Sequence, residues 1–99
     1  MNLRILGKIW KLRIVAKDWF AQDVRRSDLG ACDPPEKKGK EILIREHLPD
    51  KKFLEIVLHE TLHAASFHQF SEEFVTDLAR DQAKILWKLF EFKRRNVEP

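Results

Sequence analysis

Two periodicities divide this chain. Over residues 3–15, Trp10, Leu12 and Ile14 interleave with Ile9, Lys11, Arg13 and Val15. A period of two with high β-branched content predicts strand, the wholly apolar set facing a core and the mostly charged set facing water. Gly7 marks a bend, a bulge or the join of two shorter strands. Residues 41–46 repeat the alternation: Ile42 and Ile44 share one face, Leu43 and Arg45 the other. This second strand is expected to pair antiparallel with residues 10–15. Between them, Trp19-Phe20 offers an apolar anchor and residues 21–26 a helical turn. Gly30, Asp33-Pro34-Pro35 and Gly39 then break regular structure.

Past Pro49 the period lengthens to that of a helix. Leu54, Val57, Leu58, Thr61, Leu62 and Ala65 form a broad apolar stripe over residues 51–65 or 67. Pro49 and Asp50 suit its start. Ser71 is a good N-cap for a second helix, and Glu72 and Glu73 occupy the first turn, where the helix dipole favours acids. That helix runs to about residue 93 with two apolar rows: Phe74, Leu78, Ile85, Leu89 and Phe92, then Val75, Ala79, Leu86 and Phe90. Lys93-Arg94-Arg95 places cations at its C-terminal end. The expected fold is α+β: a small antiparallel sheet or hairpin followed by two long helices, in one domain over residues 1–99.

Composition narrows the classes only slightly. The chain has 99 residues, 43% hydrophobic and 35% charged, as ordinary globular proteins do. A formal net charge of +3 is too mild to argue for nucleic acid, although the basic first strand and Lys93-Arg94-Arg95 keep that partner in view. No apolar run approaches the length of a membrane span, and charges at Arg4, Lys8, Lys11 and Arg13 interrupt any signal-like segment. Cys32 is the single cysteine, which points to a reducing, cytoplasmic setting. In Cys32-Asp33, a small buried residue followed by a turn-forming Asp competes with a thiol ligand. A chain this small is a candidate to cover its sheet face or its long helix with a second copy.

The chemistry lies in the first helix. His59-Glu60-Thr61-Leu62-His63 matches H-E-x-x-H. Residues four apart stand one turn above each other, so the two imidazoles can grip one ion from one face. Glu60 lies about 100° round from His59, beside that ion, where a carboxylate can take a proton from bound water. Two ligands are one short of a catalytic zinc set. His68 falls one residue before the position of the third His in the longer metzincin pattern, which here is Gln69. Cys32 or Asp33 upstream, and Glu72 or Glu73 on the next helix, are the other candidates.

An H-E-x-x-H helix followed by an acid on the next helix resembles the gluzincins. Their third ligand is a Glu, often with an Asp or Asn four residues later that supports a zinc-bound His. Glu73 has Asp77 at that offset, and Glu72 has Thr76. The resemblance therefore implies one Zn2+ per chain on His59, His63 and Glu73, with Asp77 behind a ligand His and Glu60 as the base. Residues 42–87, together with Leu29-Gly-Ala-Cys-Asp33, are similar to small metallopeptidases of phage and bacterial genomes described as SprT-like or minigluzincin-like. No His follows His68, so the distant third His usual in SprT-like enzymes is missing. The resemblance implies a minimal zincin-like core, a peptide or protein substrate, and residues 41–46 as the strand along which an extended peptide adds. The oxyanion of peptide hydrolysis needs a donor; with no Tyr in the chain, His68, His47 and Arg45 are the candidates. A non-catalytic domain fastened by zinc and a DNA-associated accessory protein are the competing readings.

Overall fold

The computed structural model describes residues 1–17, 29–66 and 69–96. Four strands come first: β1 (Asn2–Ile5), β2 (Lys8–Val15), β3 (Gly30–Cys32) and β4 (Glu41–Arg45). Two helices follow, α1 (Asp50–Ser66) and α2 (Glu72–Arg95). The α+β order matches the sequence pattern. The expected anchor at Trp19-Phe20, the turn over 21–26 and His68 lie outside the described residues.

The sheet has the order β1-β2-β4-β3. Leu6 and Gly7, both at positive φ, turn the chain between β1 and β2, which pair antiparallel. In contrast to the expected antiparallel pairing, β4 lies parallel to β2, Leu12 opposite Ile42 and Ile14 opposite Ile44. The physical reason is the connection: residues 16–40 are long enough for a crossover, which a tight hairpin is not. β3 forms within that connection and pairs antiparallel with β4 on its far side. β4 is thus an interior strand, hydrogen-bonded on both sides. It cannot accept an added peptide along an edge, as the resemblance implied; among the described residues, the edge next to it belongs to β3.

The core lies between the sheet and α1. Trp10, Ile42, Ile44 and Ala64 are buried there, with Leu3, Leu12, Phe53, Ile56 and Val57 packed round them. Burying each large side chain stabilises the fold by roughly 1.5–3 kcal/mol. A smaller cluster, Val15 and Leu43 with Ala31, forms separately. The alternation of β2 therefore holds at Trp10 and Leu12 but inverts at its end, where Val15 is buried and Ile14 is 62% exposed. β1 pairs with β2 only as far as Lys11, so among the described residues Ile14 has no strand neighbour on that side.

Asp33 ties the turn before β4. Its carboxylate accepts from the Glu41 N–H at 2.9 Å and from Lys37 Nζ at 3.3 Å. Its carbonyl accepts from Trp10 Nε1 at 3.0 Å. This is the turn-forming role expected for an Asp after a half-buried cysteine.

On α2, neither apolar row is covered throughout: in the row that begins with Val75 and Ala79, Phe90 is 59% exposed. Val75, Ala79 and Ala83 are buried, and the small alanines allow close approach to α1. Phe74, Ile85, Leu89 and Phe92 of the other row stay about half exposed or more. Ser71 caps the helix, its Oγ accepting from the Phe74 N–H at 3.1 Å. Among the described residues, no helix is long and apolar enough to cross a membrane.

Candidate metal centre

α1 carries Glu60 towards the sheet and His59 and His63 towards the seam with α2. Glu60 lies in register with Phe53, Val57 and Ala64, the residues that face the strands, and is 5% exposed. A glycine makes room for it. A Cβ on Gly30 of β3 would stand 2.8 Å from Ile56 Cγ2 and 3.0 Å from Glu60 Cγ. Only glycine lets β3 lie this close over the Glu60 side chain.

The two histidines meet as the four-residue spacing requires, their Nε2 atoms 3.1 Å apart. The third partner is Glu72. One of its carboxylate oxygens lies 2.8 Å from His59 Nε2 and the other 2.8 Å from His63 Nε2. Glu73, expected in that place, makes no hydrogen bond or ion pair with either histidine among the described residues. Neighbouring helix positions point about 100° apart, and Glu72 shares the row of Val75, Ala79 and Ala83 that faces α1. Asp77 moves with Glu73: its side chain is largely exposed and pairs with Arg80 at 3.5 Å rather than supporting a histidine. The signal that selects Glu72 is in the sequence. The row with two alanines is the one a second helix can approach, and Glu72 lies three residues before Val75 on it.

The donor chemistry fits a cation. One proton on each Nε2 satisfies the carboxylate but leaves two N–H groups side by side at 3.1 Å. A dication in their midst replaces both protons. Two nitrogens on tetrahedral zinc stand ~3.3 Å apart, so the observed pair needs to open by only about 0.2 Å. Burial lowers the His59 pKa below its ordinary 6.5; the nearby Glu72 carboxylate opposes this, and His63 adds to it. A neutral imidazole is the form that binds metal. His59, Glu60 and His63 each bring a ligand atom within 4.8 Å of the others, and this group could hold a metal ion. Two carboxylates thus compete. Glu72 touches both nitrogens, and Glu60 brings a ligand atom close to both from the buried side. The site opens to solvent on the Glu72 side, whose side chain is 69% exposed.

The other described candidates have partners of their own. His47 sits in a left-handed turn after β4, φ 63°, strongly exposed and 3.5 Å from Glu46. Arg45 ends β4, its N–H donating to the Leu29 carbonyl at 2.9 Å. Cys32 is half-buried on β3, and its thiol is pushed up to about 12 by burial first, then by Glu60 and Asp33. A thiol held protonated is a poor ligand. Comparison with protein-family models, curated proteins and solved structures gives no match.

Proposed function

We propose that the protein is a zinc-dependent peptidase in which His59, His63 and Glu72 hold the ion and Glu60 is the general base. The observation that carries this reading is the convergence of both Nε2 atoms on one carboxylate at 2.8 Å, with Glu60 buried beside them. Three protein ligands with an open side are the arrangement of catalytic rather than structural zinc. When bound, zinc supplies Lewis acidity and brings the pKa of water to ~7. Glu60 takes the proton of the attacking water and returns it to the leaving amine. Its low exposure keeps competing water away from that transfer. The edge of β3, held over Glu60 by Gly30, is the strand along which an extended peptide would lie.

The test joins metal content to turnover. Wild type and Glu60→Gln should each carry one zinc per chain, and Glu60→Gln should lose about 100-fold or more of peptide hydrolysis. Retained turnover in the metal-loaded variant would sink the mechanism.

A second reading has its own support: the histidines come from α1 and the carboxylate from α2, so an ion here fastens the two helices. Chelation then lowers the melting temperature. A wild-type protein that is stabilised by zinc but cleaves nothing in a broad peptide panel would favour this reading over the first.

A further inference from the structure

The other end of the same seam holds a second feature. A hollow of about 530 Å3 opens between the start of α1 and the second half of α2. Lys51, Lys52, Arg80, Lys84 and Lys88 stand round it. Among the described residues that line it, Glu55 and Glu91 are the only acids, leaving an excess of three positive charges. That equals the formal net charge of the whole chain, +3, so the rest of the molecule is balanced. An excess of three cations is thus gathered round one hollow.

We propose that this hollow binds an acidic peptide segment, and that on the peptidase reading, on which this second part rests, the segment belongs to the substrate. The cations suit carboxylates spaced along an extended chain. Lys84 and Lys88 are four apart on a helix, a rise of about 6 Å. Side chains two apart on a strand are separated by about 6.7 Å, so a Glu-x-Glu pattern meets both. Arg80 is already engaged by Asp77 and Lys52 by Glu55, leaving Lys51, Lys84 and Lys88, which act as single point charges, as the main donors. Base stacking, which single-stranded nucleic acid needs, lacks a platform. Trp87 is the one aromatic lining the hollow, and Lys51 Nζ lies 5.3 Å over its ring.

The position relative to the histidines sets the spacing. Lys52, Glu55 and His59 are three and four residues apart in turn, so the hollow and the metal ligands share one side of α1. Lys52 to His59 is about 10 Å along α1, and Glu72 to Lys88 about 24 Å along α2. An extended peptide covers these spans in about three to seven residues. The acidic residues therefore lie about three to seven positions from the bond at the metal centre.

The experiment measures fluorescence anisotropy of labelled peptides on the Glu60→Gln protein, so that binding is read without cleavage. A Glu-x-Glu peptide should bind about 10-fold or more tighter than its Gln-x-Gln counterpart. The advantage should shrink as salt rises and vanish in Glu60→Gln combined with Lys84→Glu and Lys88→Glu. Both lysines are exposed, and an unchanged melting temperature checks that this variant folds. Equal binding of the two peptides, an advantage that survives the charge reversal, or equally tight binding of a single-stranded oligonucleotide at the same salt overturns the proposal. Cleavage is read separately on zinc-loaded wild type. Tight acidic-peptide binding without any cleavage removes the peptidase reading and leaves the hollow's ligand standing.

Discussion

At one end of the α1–α2 seam, the polar atoms of His59, His63 and Glu72 meet at 2.8 to 3.1 Å. At the other end, five cations stand round a hollow of about 530 Å3 and engage local partners, as Lys52 does with Glu55 at 2.9 Å. The same two helices build both. The first end gathers donors at a point, which suits one small ion of high charge. The second spreads charge over several turns, which suits an extended anion. The difference comes from register: the histidines and Glu72 lie on rows that turn towards each other, while the lysines flank the row that packs.

Glu72→Ala should separate the two ends most sharply. If Glu72 is a direct ligand as proposed, its loss should weaken zinc binding by more than about 100-fold, since even partners one shell out are worth about 10–100-fold. Glu73→Ala should leave zinc binding unchanged, and neither variant should weaken acidic-peptide binding at the lysine end. Metal titration of the two variants checks this; loss of zinc in Glu73→Ala rather than Glu72→Ala would show that α2 sits in a different register.

Gly30→Ala comes next. The added Cβ meets Ile56 and Glu60, so β3 or the Glu60 side chain must shift. Overpacking of this kind costs about 1–3 kcal/mol. It should appear as a lower denaturant midpoint, together with lost turnover, because Glu60 is displaced. Nothing comparable constrains the lysine end: Lys88→Gln should change stability by less than about 0.5 kcal/mol.

How far each end was legible in the sequence follows the same division. The H-E-x-x-H spacing foretold that His59, Glu60 and His63 stand together, because contacts within one helix depend only on its own period. Ser71 and Pro49 located the helix starts for the same local reason. Which acid meets the histidines depended on which row of α2 packs, and two apolar rows competed for that role. The parallel pairing of β4 was not legible, because alternation assigns faces and says nothing of strand direction. Gly30 read as a breaker; that it makes room for Glu60 emerges only when β3 is laid against α1. The lysine hollow was invisible to charge counting, since Lys51-Lys52 and Lys84…Lys88 are far apart in the chain and the total of +3 looks unremarkable.

Ser71→Ala should have a smaller effect that links cap to site. It removes the acceptor for the Phe74 N–H and should cost about 1 kcal/mol. Fraying of the first turn of α2 loosens Glu72, so zinc affinity should fall modestly while the lysine end, several turns away, is untouched. A fall in stability with no change in zinc affinity would mean that the histidines, rather than the cap, hold Glu72 in place.

The smallest effect is on Cys32, whose Sγ donates to the Asp33 carbonyl at 3.4 Å. Burial, Glu60 and Asp33 together raise Cys32 from 9.0 to about 12. A raised thiol pKa means that the folded state holds its proton where the unfolded chain has lost it. The stabilisation is therefore complete below pH 9 and declines as pH rises from about 9 towards 12. Denaturant midpoints should fall over that window in wild type and fall less in Cys32→Ala. At pH 8 the native thiol should react slowly with a thiol-specific disulfide reagent. Glu60→Gln removes only the second-ranked cause, so ultraviolet titration of the thiolate should move down slightly, with burial still holding the pKa above its ordinary value. A return to that value in Glu60→Gln would mean that the Glu60 charge, and not burial, dominates at this end of the seam.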